Sequence, residues 1–213
     1  MTGYLADVAV LTRKDLLLEL RSRDTVPAML LFVVGALVVF HFALPDSAGD
    51  DAARGLLWIA ILFTALLGLA RVYAAEQEQS LLDGLLLAPC DRSAIWLAKT
   101  ASVVVFLLLM EVIALPAFAL FYAPVSGPMV AAVVLADLGI AAVGTLLSAI
   151  ATASRTRELI MPLLFIPLAI PVVIGGVGAS IDDDPSRFLW FLGLYDAIFA
   201  IISWASFEYV VTE

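Results

Sequence analysis

Six runs of apolar residues, each close to the length a bilayer demands, settle most of what this chain can fold into. About 20 apolar residues in a helix cross the hydrocarbon core. The runs fall at approximately 26–44, 56–73, 100–122, 129–153, 159–179 and 188–211. Lipid offers the backbone no water, so each run must close its own hydrogen bonds as a helix. Turn-forming stretches separate several of them: "PDSAGDD", "APVSGP" and "IDDDPSR". Only 15% of residues are charged, against about 25% in a soluble domain. The expected fold is an all-α integral membrane protein with six transmembrane helices. It forms a single domain over 1–213, with an interfacial N-terminal segment at 1–25.

Several chemistries are excluded at this stage. The first 24 residues carry charges throughout and lack an apolar core before a cleavage site, so no secretory signal peptide is expected. Cys90 and His41 are each the sole residue of their type, which rules out an internal disulfide and a His-rich metal site. No GxxxxGK[ST] phosphate loop is present, so nucleotide hydrolysis would have to come from a partner. No nucleophile–base pair suggests an enzyme, and no metal is expected. The net charge of −9 gathers partly in Asp46, Asp50 and Asp51 and in Asp182, Asp183 and Asp184, which read as solvated loops.

Lysine and arginine set the orientation. With the N-terminus inside, Arg54 and Arg187 are the only basic residues left outside. Both termini are then cytoplasmic, in an inner membrane. Trp58, Trp96, Trp190 and Tyr122 fall near span ends, where amphipathic rings favour the interface.

The longest inner connection, 74–99, contains "EQEQSLLDGLLLAPCDR". On a helical wheel Leu81, Leu82, Leu85, Leu86 and Pro89 share one arc, opposite Glu76, Ser80, Asp83 and Gly84, with Leu87 the exception. Such a segment lies on a membrane face or fills a groove on a partner. Glu76 and Glu78 suit a helix N-terminus, and Pro89 ends regular helix.

These residues resemble the coupling segment of ABC-2 type permeases, matching at Glu76, Leu82, Asp83, Leu85, Leu86, Leu87, Pro89 and Lys99, with Ser80 where glycine is usual. "LTRKDLLLELRSRD", "GLLWIAILFTALLGLARVYAAEQEQSLLDGLLLAP" and "MPLLFIPLAIPVVIGGVGA" together resemble the heme exporter protein B (CcmB) family of cytochrome c maturation. The "SRTRE" loop is more charged than that family's pattern, and His41 stands where a proline is more usual. The resemblance implies a permease subunit that binds no cofactor and whose cargo is heme, exported or released to a carrier. ATP would be used by a separate CcmA-like cytoplasmic ATPase, docked at Glu76, Leu82, Asp83, Leu85, Leu86 and Pro89. Further partners would be a second copy, a CcmC-like heme-handling membrane protein and lipid, with no nucleic acid. The alternatives are an ABC-2 permease for a drug, lipid or polysaccharide, and a membrane assembly factor that transports nothing.

Other residues carry narrower expectations. Glu111 and Asp137 lie within the third and fourth spans, where a carboxylate normally faces protein, water or a partner. They read either as a polar path or gate, or as packing residues. Asp196 reads as nearer the outer interface, leaving no third ionisable group at their depth. Pro162, Pro167 and Pro171 mark the fifth span as a hinge candidate, because proline removes an amide donor. His41 reads as a span-end residue rather than a heme ligand, and Cys90 is assigned no role. Segment 4–24 reads as an interfacial helix with an untidy wheel, anchored to headgroups by Arg21 and Arg23.

Overall fold

The computed structural model describes residues 3–22, 24–45, 47, 49–73, 91–152 and 157–212. Within these lie seven helices: α1 Tyr4–Ser22, α2 Thr25–Ala43, α3 Asp50–Leu69, α4 Arg92–Phe121, α5 Gly127–Thr152, α6 Arg157–Ile181 and α7 Ser186–Thr212. No strand occurs among the described residues. Helices α2 to α7 are each long and apolar enough to cross a bilayer. The chain is a multi-pass membrane protein.

Alternation of the spans gives the bundle two ends. One, here the basic end, gathers α1, the close of α3, the start of α4 and the close of α7, with Leu11, Tyr73, Ile95, Trp96 and Phe207 in one apolar cluster. The other, the acidic end, holds the turns after α2, α4 and α6. There Asp182 accepts from the Asp184 amide at 3.0 Å and pairs with Arg187. That amide, and then the guanidinium, hold the Asp182 carboxyl below the usual carboxylate range.

Two spans begin earlier than their apolar runs, because polar residues occupy their starts. Helix α4 opens at Arg92 rather than Thr100: the Asp91 carboxylate accepts from the Ser93 amide at 3.0 Å and from its hydroxyl at 2.9 Å. Helix α3 opens at Asp50 rather than Leu56, with Asp50 and Asp51 in the first turn, where negative charge suits the dipole.

Helix α5 is the hub. In its most apolar window 67% of residues are buried inside the protein, against 17% for α2 and for α7. Its sequence explains this, since Ala132, Ala136, Gly139, Ala141, Gly144 and Ser148 let neighbouring backbones approach closely. Gly139 lies under Tyr195 and Asp196 of α7, and Gly144 under Leu69 of α3. Gly175 and Gly178 of α6 do the same for Leu192 and Phe188 of α7.

Trp58 departs from its expected interfacial role. It is 1% exposed, its ring lies over Gly176 of α6, and its indole N–H donates to Ser180 Oγ at 3.0 Å. Trp96 is buried as well, whereas Trp190 is exposed as an interfacial ring would be. Helix α6 runs unbroken through Pro162, Pro167 and Pro171.

Candidate functional site

At the basic end, the close of α3 and the start of α4 are held against α1. After Leu69 the chain turns through Ala70 to Tyr73, and the Ser148 hydroxyl of α5 donates to the Leu69 carbonyl at 2.8 Å. Two turns into α4, Lys99 points back at this turn. Its Nζ donates to the Val72 carbonyl at 3.0 Å, sits 5.0 Å from the Tyr73 ring centroid, and pairs with Asp15 Oδ2 of α1 at 3.2 Å. Asp15 Oδ1 in turn meets Lys14 at 3.0 Å. The Lys99 and Asp15 side chains are 5% and 9% exposed. Removing one partner from a pair this buried weakens the hold of α1 on α4, because a buried charge loses its opposite neighbour.

Helix α1 is fastened along its length. Thr12 Oγ1 donates to the Ala98 carbonyl, and the Ser93 hydroxyl bonds to the Tyr4 hydroxyl, each at 3.3 Å. At its far end Glu19 Oε1 accepts from the amides of Thr25 and Val26 at 2.7 and 2.9 Å. These are first-turn donors of α2, and the cap residue Asp24 makes no side-chain bond to them. Glu19→Ala is therefore expected to lower stability by about 1 kcal/mol, read as a lower unfolding temperature in detergent. Glu19→Gln keeps the acceptor and should lose much less. The untidy wheel of α1 now has a cause: Leu11 packs into the protein, while Leu5, Val10 and Leu17 are exposed. Arg21 is exposed, as an anchoring residue would be, and Arg23 lies outside the described residues.

A second polar place lies within the bundle. Glu111 of α4 and Asp137 of α5 are 6% and 0% exposed, with their side chains within hydrogen-bonding reach of each other. Yet Glu111 Oε1 and both Asp137 oxygens find no donor. Two ionised carboxylates only accept, so a bond between them requires one proton to be shared. The carboxyl of Asp196, expected near the interface, is instead shut from solvent against Gly139. Glu111, Asp137 and Asp196 each lie about ten residues, or ~15 Å at 1.5 Å per residue, from the acidic end of their helices. The expectation that no third acid shares their depth is thus corrected. A residue pair two apart faces opposite sides of a helix, so Asp196, beside Gly139, meets α5 away from the side that carries Asp137.

The family comparison completes the site description. A family model described as CcmB protein matches residues 6–202. The chain belongs to the CcmB family. It is 29% identical to heme exporter protein B of Rhodobacter capsulatus, with 78% of each chain covered. It is 28% identical to heme exporter protein B of Paracoccus denitrificans, over 84% of this chain and 86% of that one. The protein of that name from Pseudomonas aeruginosa is 27% identical, over 87% of each chain.

Of the residues singled out from the sequence, Glu76, Leu82, Asp83, Leu85, Leu86 and Pro89 lie outside the described residues, as does Cys90. Within the CcmB-family bundle the structure brings Glu111 and Asp137 together. His41 is exposed at the acidic end, with the Phe42, Phe121 and Tyr122 rings 5.4 to 5.6 Å away. Asp15 and Glu19 were missed. A signal for Asp15 existed, because Lys99 falls inside "SAIWLAKTASVVV", and a cation in so apolar a helix needs a partner.

Proposed function

We propose that this chain is the membrane permease subunit of an ABC transporter of the heme-export system, driven by a separate CcmA-like ATPase. The observation that carries the reading is the family match across residues 6–202, with relatives named heme exporter protein B aligned over most of their length. The basic end faces the cytoplasm of an inner membrane, in keeping with the excess of lysine and arginine there. The segment containing Glu76, Leu82, Asp83, Leu85, Leu86 and Pro89 docks on the ATPase, and two copies of the chain meet two copies of the ATPase. Nucleotide binding closes the ATPase pair, and the docked segments carry that motion into α3 and α4. Helix α6 gives way first, because Pro162, Pro167 and Pro171 lack amide donors for the preceding turns. Heme is the cargo, exported or released to a carrier with the help of a CcmC-like membrane protein. Lipid surrounds the complex and no nucleic acid takes part.

The test is a mild-detergent pull-down of the tagged chain from native membranes, read by mass spectrometry and by the heme absorption spectrum. A Walker-motif ATPase is expected to arrive with a heme-handling membrane protein. Burying one leucine is worth about 1.5–3 kcal/mol. Replacing Leu82, Leu85 and Leu86 with serine should therefore cut ATPase recovery at least about a hundredfold, with the chain still in the membrane. Unchanged recovery from the triple variant would refute the docking segment. An ATPase without a heme partner would refute the cargo.

A further inference from the structure

The residues around Lys99 join parts that the docking segment alone does not connect. Tyr73 and Asp91 flank the stretch 74–90, one ending the turn that follows α3 and one capping α4. Lys99 grips the first flank through the Val72 carbonyl and the Tyr73 ring, and it belongs to the helix that begins at the second. Its other partner, Asp15, is on α1. From Asp15 a single turn of α1 leads to Glu19, which holds the first amides of α2. A push on 74–90 thus has a physical route to the first span that bypasses the membrane interior.

We propose that Lys99 and Asp15 are positioning residues that make α1 and the two flanks of 74–90 move as one body, so that α1 acts as a lever on the start of α2. The proposal rests on the ATPase-coupling reading for its driving force. Its geometry is independent of the cargo. Elements joined by one weak contact slide past each other, whereas here α1 is held at Tyr4, Thr12 and Asp15 on α4 and at Glu19 on α2. The ion pair in that set is buried on both sides, the Lys99 and Asp15 side chains being 5% and 9% exposed. Shifting α1 would take the Asp15 carboxylate away from the Lys99 ammonium, which lies against the Tyr73 ring. The contact therefore has one favourable register and resists intermediate positions.

The experiment uses the full chain with its co-purified ATPase in lipid nanodiscs. Cys90, the only cysteine, is replaced by serine, and spin labels go on Arg71→Cys, an exposed position in the flank before 74–90, and on Leu17→Cys, an exposed position of α1. The interspin distance is read without nucleotide and after trapping with ADP and vanadate. In the parent chain the distance should be narrow and the same in both states. Lys99→Gln should keep the ATPase bound but lose this invariance, giving a broader distribution that shifts on trapping. Lys99→Arg should restore it, which a residue needed only for folding volume would not explain. If Lys99→Gln fails to reach the membrane, Asp15→Asn replaces it, keeping an acceptor without the charge.

A parent distance that changes on trapping, or a Lys99→Gln distance as invariant as the parent's, overturns the lever. Failure of the parent chain to bring down any ATPase overturns the coupling reading instead. The nucleotide-free width then still judges the node: narrow in the parent and broad in Lys99→Gln supports it, equal widths overturn it.

Discussion

Gly176→Leu is expected to leave little folded protein in the membrane, and Gly176→Ala to lower the unfolding temperature measurably. A Cβ at this position would lie 2.3–2.4 Å from three atoms of the Trp58 ring, far inside contact distance. The ring has no easy retreat. Trp58 is 1% exposed, and its indole N–H is bonded to Ser180, whose hydroxyl donates to the Gly176 carbonyl at 2.8 Å. Moving the ring gives up that bond and re-forms the α3–α6 contact. Overpacking of this kind costs about 1–3 kcal/mol, and the lost hydrogen bond adds about 0.5–1.5 kcal/mol. Leucine adds bulk beyond the Cβ and should exceed the sum for alanine. Gly35→Ala is the control, because nothing lies within 4 Å of its added methyl. Thermal unfolding of the detergent-solubilised variants separates the two. If Gly176→Ala matched Gly35→Ala, close packing at Trp58 would not be what holds α3 to α6.

The spans were legible because the signal is one of length, and apolar runs of this size have one solution in lipid. Their edges were less so, since Asp91 and Asp50 begin helices with polar residues that a hydropathy reading assigns to loops. Trp58 shows another limit. Position near a span end says that a ring is at interfacial depth, but not whether its helix turns that face to lipid or to protein. Gly176, the residue that draws it inward, lies on a different helix.

The same reason hid the polar partners. That Glu111 and Asp137 face protein followed from the cost of a lone carboxylate in lipid. That they face each other depends on the rotation of α4 against α5, which neither helix encodes alone. Lys99 announced a need for a partner, but Asp15 supplies it from a helix whose apolar residues are split between protein and lipid. A wheel cannot resolve two apolar surroundings on one helix.

Asp137→Leu should be markedly more damaging than Asp137→Asn, although leucine is the better residue for lipid. Asp137 is fully buried and reaches Glu111, with no donor for either of its oxygens among the described residues. A carboxylate at a helix centre costs about 2.5–3.5 kcal/mol on insertion scales, so the pair persists by sharing a hydrogen. Asparagine brings its own N–H and can donate to Glu111, leaving the contact between α4 and α5 satisfied. Leucine removes the partner and strands Glu111, at about 1–3 kcal/mol for an unsatisfied buried group. Converting Glu111 to leucine as well should then recover stability, because two apolar residues need no partner. The loss from the double variant is expected to be smaller than that from Asp137→Leu alone, the reverse of additive behaviour. Membrane abundance and thermal unfolding of the four chains test this directly. If Asp137→Asn fell as far as Asp137→Leu, or the double variant further than either, a shared hydrogen would not be what joins α4 to α5. Each carboxyl would then be held by its own surroundings.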